Sequence, residues 1–589
     1  MTLLQNITSP EDVKALPAEA LPTLCSEIRQ AIVESSAAIG GHVGSNLAVV
    51  ELAVALHRVF DSPADKIVWD VSHQAYAHKM LTGRAACFID PARYEEVSGF
   101  TNPAESEHDH FCMGHTSTSV SLACGLAKAR DLLGQTHDVV AVIGDGSLSG
   151  GLAFEGLDNA AEQGGNLIVV VNDNEWSIAP NAGGIYRNLA ELRAGKGHAE
   201  NNLFEAMGLE YRYLEDGHDV AALEAALAEL RGIDHPVVLH VHTRKGKGFS
   251  PAEADPQGWH HVGPFDVATG EKACAHEAAC EDYAEITGAF LETRMASDQA
   301  LVAISAATPY IMGFGPSRRE RVGARLVDVG IAEEHAVTYA TALAAGGAHP
   351  VLGIYGSFLQ RAYDEVWHDL CLNGAGATIL VFGSSAFGTT DATHLGFFDI
   401  AMLGGMPGLT YLAPTCAEEY LDMLDWSVSH EHGPVAIRVP GAGVTHEPSY
   451  VAGKDFSLTR FEVTRMPADP TVAVLALGSA YALGESCVEA LAASGVNAAL
   501  VNPRFATTCD EACLARLTDA GVRTFVTLED GVADGGFGAR VAAALASRPD
   551  VRVRVLGLPR EFRDRYDAVE LLAECGMTAE SVVNWVRNG

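Results

Sequence analysis

What most constrains this chain is a repeated grammar: short β-branched apolar runs that stop at a glycine or polar residue, each followed by an alanine-rich stretch of helical period. "DVVAVIGDG", "NLIVVVND" and "PVVLHVHT" come early, "PVLGIYG" and "ATILVFG" in the middle, "TVAVLALGS" and "RTFVTLED" late. Apolar runs alternating with helices predict mainly parallel sheets wrapped by helices, an α/β protein. The grammar lapses near residues 265–282 and 441–456, where glycine, proline and charge gather. Three domains are therefore expected, 1–275, 282–445 and 456–589. With 589 residues at 48% hydrophobic content, each can bury its own core. No low-complexity tract or short-period repeat is read.

A formal net charge of −37 repels phosphate polymers and anionic bilayers at long range. Broad contact with nucleic acid or membrane is excluded on that ground, and an anionic ligand would need a local basic cluster. The opening "MTLLQNITSPEDVKALPAEALPTLCSEIRQAI" carries Ser-Pro-Glu-Asp helix-entry chemistry and no uninterrupted apolar run. Neither a signal peptide nor a membrane span is read, and a cytoplasmic protein is expected. The 12 cysteines include no CxxC pair, and Cys274 with Cys280 and Cys509 with Cys513 lack a second ligand pair nearby. Reduced, buried thiols are expected rather than a zinc site.

Chemistry gathers in "GDGSLSGGLAFEGLDNAAEQGGNLIVVVNDNEWSI", residues 144–178. Asp145 ends one strand in a glycine turn at the carboxyl edge of a parallel sheet, where such folds place ligands. Asn174 lies just beyond the next strand. If the two strands are neighbours, a carboxylate and an amide oxygen converge, and a few hard oxygens suit a Mg²⁺ that also holds phosphate oxygens. Gly144 and Gly146 let backbone N–H groups approach that phosphate. The alternative, two ordinary turn residues at strand ends, is disfavoured by the intervening "GLAFEGLDNAAEQGGN".

This segment resembles the thiamine diphosphate-binding motif, GDG followed at a distance by asparagine. Further blocks, "GGHVGSNLAVVELAVALHRVF", "IVWDVSHQAYAHKMLTGR", "GHTSTSVSLACGLAKA", "DGHDV", "TRKGKGFSPAE", "DVGIAEEHAVTYATALA" and "YGSFLQRAYDEVWHD", extend the likeness over nearly the full chain. In order and spacing they resemble the 1-deoxy-D-xylulose-5-phosphate synthase family, which has a transketolase-like fold. The resemblance implies that Asp145, Asn174 and the main-chain carbonyl of Trp176 ligate Mg²⁺, which clamps the diphosphate of thiamine diphosphate. It implies cofactor contacts from His73, Gly114, His115, Thr116, Gly146, Ser147 and Phe249, the last standing where the family usually has tyrosine. Glu333, not Glu334, is implied to hydrogen-bond N1′ of the aminopyrimidine, and Phe358 to stack on that ring. His42, His73, His115 and His260 are implied to surround the thiazolium and the substrate carbonyl, where imidazoles can exchange protons and donate to an oxyanion. His260 is chosen over His261 by its spacing to "GPFD". Tyr355, Arg361, Asp391, His394 and Arg504 are implied to bind the acceptor substrate, His394 also serving catalysis.

The implied reaction decarboxylates pyruvate and joins its remainder to glyceraldehyde 3-phosphate, giving 1-deoxy-D-xylulose 5-phosphate, a precursor of isoprenoids, thiamine and pyridoxal. A homodimer is implied as well. Departures from the family pattern keep other readings open. In "LVFGSSAFGTTDATHLGFFD" the family's arginine position is Gly383, and its aspartate position is Thr390 with Asp391 one place later. The family's Arg-Tyr-Pro-Arg-Gly appears as "IRVPGAG", with glycine at 441. A long family arm is reduced to a short connection near residues 195–203. A transketolase-like or acyloin-forming relative with another acceptor or ketol donor is one alternative. A catalytically silent thiamine-binding relative is the other, and the retained Glu333, metal pair and four histidines count against it.

Overall fold

Each β-branched run becomes a strand with helices covering both of its faces. The computed structural model describes residues 2–273, 282–389, 391–429, 433–441 and 443–588. The chain forms two compact units, Met1–Ala279 with Gly330–Ala332, and Cys280–Val329 with Glu333–Gly589.

The first unit is built on β1 (Lys66–Trp69), β2 (Val139–Gly144), β3 (Leu167–Asp173), β4 (Glu210–Leu214) and β5 (Pro236–His242), in the order β1-β2-β3-β5-β4. All pairings are parallel. Successive side chains of a strand point to opposite faces, so Val140, Val142, Ile168 and Val170 join one core with helix Val50–Val59. Their neighbours Ala141, Ile143, Val169 and Val171 join another with helices Ser119–Leu132 and Gly151–Gln163. The expected helix entry is present: Ser9 and Asp12 form a capping box in front of helix Pro10–Ala15, with the Ser9 N–H donating to Asp12 Oδ2 at 3.0 Å. Helix Gly184–Ala194 passes through residues 195–202 into helix Leu203–Ala206.

The second unit holds two sheets. One has β6 (Leu301–Ser305), β7 (Leu326–Asp328), β8 (His349–Tyr355), β9 (Thr378–Phe382), β10 (Thr410–Leu412) and β11 (Val435–Val439), in the order β10-β11-β9-β8-β6-β7. The other has β12 (Glu462–Arg465), β13 (Val472–Ala476), β14 (Ala498–Asn502), β15 (Thr524–Val532) and β16 (Arg552–Leu558), in the order β12-β14-β13-β15-β16. Edge strand β12 is antiparallel to β14, and the other pairings of the unit are parallel. One apolar core runs from Ile354 and Ile379 through Tyr411 to Leu475 and Phe525, so the two sheets share an interior. Between them, the described residues of 441–456 carry no helix or strand.

Among the described residues no helix is long and apolar enough to cross a membrane. The ten described cysteines are free thiols, and Cys112 is the exposed one among them. Cys274, Cys280 and Thr390 lie outside the described residues.

Candidate functional site

Strands β2 and β3 are direct neighbours, with Gly144 opposite Asn172. Asp145 and Asn174 therefore leave the same sheet edge side by side. Asp145 is 1% exposed. Its Oδ1 accepts from the Asn174 N–H at 3.4 Å and its Oδ2 from the Asn181 side-chain amide at 2.6 Å. The turn requires glycine at 146, because a Cβ there would lie 2.7 Å from that of Ser177. Tyr186 and Ser117 donate to the carbonyls of Gly146 and Ser147 at 3.1 and 2.7 Å and hold the turn in place. Burial, together with the neighbouring Asp173 carboxylate, pushes the Asp145 carboxyl well above its ordinary range. Beside it, Asn181 Oδ1 is buried without a hydrogen-bond partner among the described residues. A buried carboxylate short of positive charge and an orphaned amide oxygen are relieved together by a hard divalent cation, so the residues present fit Mg²⁺. The Trp176 N–H donates to Asn174 Oδ1 at 3.2 Å, which closes the loop around this point.

Asp173 is anchored behind the Asp145 turn. His240 Nε2 lies 2.9 Å from its Oδ2, the Tyr211 hydroxyl lies 2.8 Å from His240 Nδ1, and Arg193 pairs with the same carboxylate. The sequence reading missed this relay; its one signal is a histidine inside the apolar run "PVVLHVHT".

Three predicted histidines come together: ring centroids of His42 and His73 are 5.0 Å apart, His42 and His260 5.6 Å, His73 and His260 5.1 Å. His261 packs edge-on against His42 at 4.7 Å from the exposed side. His260 has the inward polar contacts, with Nδ1 3.2 Å from Lys245 Nζ and 3.5 Å from Ser45 Oγ. Ser45 Oγ also meets His73 Nε2 at 3.1 Å. Lys245 Nζ donates to the Ser177 carbonyl at 2.6 Å and so joins the histidine group to the Asp145 turn. Burial brings the Lys245 ammonium down to about 7 and holds His260 well below its ordinary range, as a neutral imidazole. Ser45 and the placement of Lys245 were not foreseen. The basic run "TRKGKGF" was the only sequence hint of the latter.

The loop carrying Gly114, His115 and Thr116 is fixed by buried Asp70, whose carboxylate accepts from the Ser117 and Ser119 N–H groups at 2.8 and 3.0 Å. Phe249 packs against Trp259 and Phe265, with ring centroids 5.0 and 5.8 Å away.

In the second unit, Glu333 opens helix Glu333–Ala345 and is 5% exposed, whereas Glu334 is half-buried. Burial raises the Glu333 carboxyl, and Arg361, 3.3 Å away, works against that rise. Phe358 meets the rings of Tyr355 and His394 at 5.5 and 5.6 Å. His394 Nδ1 lies 3.0 Å from Asp391 Oδ1, which also accepts from the Thr393 N–H at 2.8 Å. Arg504 is committed elsewhere: its Nε donates to Glu419 at 2.9 Å and its other arm pairs with Glu462.

Known proteins match in the same order. Residues 4–200 and 195–243 match the family described as 1-deoxy-D-xylulose-5-phosphate synthase. Residues 281–444 match the transketolase pyrimidine binding domain and 462–582 the transketolase C-terminal domain. The 1-deoxy-D-xylulose-5-phosphate synthase of Pelotomaculum thermopropionicum is 40% identical over 625 residues, covering 99% of this chain and 96% of the relative. The chain belongs to the 1-deoxy-D-xylulose-5-phosphate synthase family. The 1-deoxy-D-xylulose-5-phosphate synthase 1 of Geobacter sulfurreducens is likewise 40% identical over 623 residues, covering 99% of this chain and 96% of the relative. Among solved structures, transketolase from Leishmania mexicana aligns over 96% of this chain and 97% of its own at 18% identity, with a TM-score of 0.44. As a member of the synthase family the chain is an enzyme, and its two transketolase domain matches carry the transketolase-like α/β fold with them.

Proposed function

We propose that the protein is a Mg²⁺- and thiamine diphosphate-dependent transferase that decarboxylates pyruvate and condenses the remaining two carbons with glyceraldehyde 3-phosphate to give 1-deoxy-D-xylulose 5-phosphate. The observation that carries this reading is the buried Asp145 carboxylate, set in a glycine turn beside Asn174 and the orphaned amide oxygen of Asn181. Asp145, Asn174 and the Trp176 carbonyl would hold the metal. The N–H groups around Gly146 and Ser147 and the loop of Gly114, His115 and Thr116 would hold the diphosphate. Phe358 and Glu333 would face the pyrimidine, and Phe249, packed against Trp259 and Phe265, would back the cofactor. When bound, thiamine diphosphate supplies the electron sink for breaking and making carbon–carbon bonds.

The remaining tasks fall to side chains. Glu333, with a raised carboxyl, would hold and give up a proton at its carboxyl oxygens toward the pyrimidine when the cofactor is bound. His42, His73 and His260 donate to the oxyanion that develops on the substrate carbonyl, with Ser45 and Lys245 orienting two of them. Tyr355, Arg361, Asp391 and His394 orient the acceptor aldehyde, and Arg504 belongs to the same family set. Division into domains 1–275, 282–445 and 456–589, a homodimer and a cytoplasmic setting complete the reading, supported by sequence and family alone.

Purified protein supplied with Mg²⁺, thiamine diphosphate and pyruvate should release CO₂ once an aldehyde is added and yield a 1-deoxyketose. Turnover of a ketose phosphate with pyruvate left intact would replace this reading with a transketolase-type transfer.

A further inference from the structure

Two glycines at which the sequence departs from its family face one aromatic ring. A Cβ at Gly441 would lie 2.4 Å from Cδ1 of Phe387, and a Cβ at Gly383 would lie 3.6 Å from its Cε1 and 3.3 Å from Cδ1 of Tyr355. The Gly441 N–H donates to Ser385 Oγ at 2.9 Å, which fixes this segment against the loop that carries the ring. Gly383 has a φ of +64°, which a side chain adopts only under strain. The half-buried phenyl ring thus occupies the volume into which a side chain at 441 would grow and lines the one at 383. Tyr355, whose ring borders the same space, also meets Phe358, and Phe358 meets His394. Phe387 is therefore continuous with the residues assigned to the acceptor.

Among the described residues, the two buried arginines of this unit are already engaged: Arg438 pairs with Asp399 and Asp530, and Arg504 with Glu419 and Glu462. A phosphate dianion calls for forked guanidinium groups and further donors. The face of a phenyl ring carries negative charge density and offers the opposite.

We infer, on the reading above that the protein joins decarboxylated pyruvate to an aldehyde, that Phe387 is a specificity-determining residue and makes the acceptor end indifferent to phosphate. Short uncharged aldehydes are then acceptors in their own right. The balance is the same as for the phosphorylated acceptor: the bond from the keto carbon to the carboxylate breaks and CO₂ leaves. Its electron pair forms the bond to the aldehyde carbon, and the aldehyde oxygen takes up one proton, with no oxidant or reductant required.

The test is a panel of D-glyceraldehyde, propanal and glyceraldehyde 3-phosphate with the full-length protein, saturating pyruvate, Mg²⁺ and thiamine diphosphate, reading both CO₂ and ketol product. The kcat/KM for glyceraldehyde should fall within about tenfold of that for its phosphate, a difference of no more than ~1.4 kcal/mol in transition-state binding. A phosphate preference of about a hundredfold or more would overturn the inference while leaving the proposed reaction intact. Pyruvate left intact with every aldehyde removes the proposed reaction, and the inference with it. The double substitution Phe387→Ser with Gly441→Arg opens the volume and adds a guanidinium, and should shift the ratio toward the phosphorylated acceptor by about tenfold or more. An unchanged ratio in folded double variant would also contradict the role of Phe387.

Discussion

At Glu333 burial and a guanidinium pull in opposite directions, and burial has the larger effect. A carboxyl raised in this way is a better proton donor and acceptor partner for a ring nitrogen than an exposed glutamate. Glu333→Gln keeps the shape and the contact with Arg361 but cannot exchange that proton. Its kcat is expected to drop by about 10²–10⁴-fold with an unchanged melting temperature, as read by steady-state kinetics beside a thermal melt; near-native turnover would remove Glu333 from the chemistry. The family resemblance picks Glu333 over Glu334, and spacing to "GPFD" picks His260 over His261; in the structure Glu333 is the more buried of its pair and His260 makes the inward polar contacts. Ser45, Asp70 and Lys245 could not be found that way. Each acts through a partner far along the chain, such as Lys245 with Ser177, and a single sequence carries no record of such pairs.

Strands were readable because both faces of each central run are covered by apolar neighbours, as for β2 and β3 in the first unit and β13 and β15 in the second. Short β7 and β10 and edge strand β12 carry too little apolar patterning to stand out. The polar ties between sheets were equally invisible. Arg438 on β11, 2% exposed, reaches Asp399 and, on β15, Asp530. Arg438→Met would leave two buried carboxylates unpaired and should cost roughly 3–5 kcal/mol, measured as a lower urea midpoint; an unshifted midpoint would show that the pair does not join the sheets.

Glu529 on the same strand accepts from the Phe537 and Gly538 N–H groups at the start of helix Phe537–Leu545, at 2.8 and 2.7 Å. Burial outweighs those bonds and nearby Arg438, with Asp530 adding to the rise, and the carboxyl is raised from 4.5 to about 7. The folded state then holds a proton that the unfolded state has lost between those values, so this group's contribution to stability falls as pH rises through that window. Melting temperatures from pH 5 to 8 should therefore decline less in Glu529→Gln than in the parent protein, and parallel curves would contradict the assignment.

For the chain as a whole, three mainly parallel sheets wrapped by helices were foreseeable, because the strand-and-helix grammar recurs along it. That the second and third sheets share one core was not, since it depends on contacts such as those joining Ile379, Tyr411 and Phe525. The glycines at 383 and 441 could be read as lost arginines. That a ring at 387 fills the space beside 441 and borders that at 383 could not, because the three positions meet only in the folded unit. The net charge of −37 makes one consequence sharp: an anionic cofactor can be held only where local groups overcome the surrounding field.

On the proposed function, a divalent cation at Asp145 and Asn174 is what lets this acidic protein hold a diphosphate. Calorimetric titration of thiamine diphosphate with Mg²⁺ present, with the metal chelated, and with Mg²⁺ on Asp145→Asn tests it most directly. Saturable binding is expected in the first case and affinity weaker by about a hundredfold or more, ~2.7 kcal/mol, in the other two. Equal affinity in all three, or no binding in the first, would contradict it.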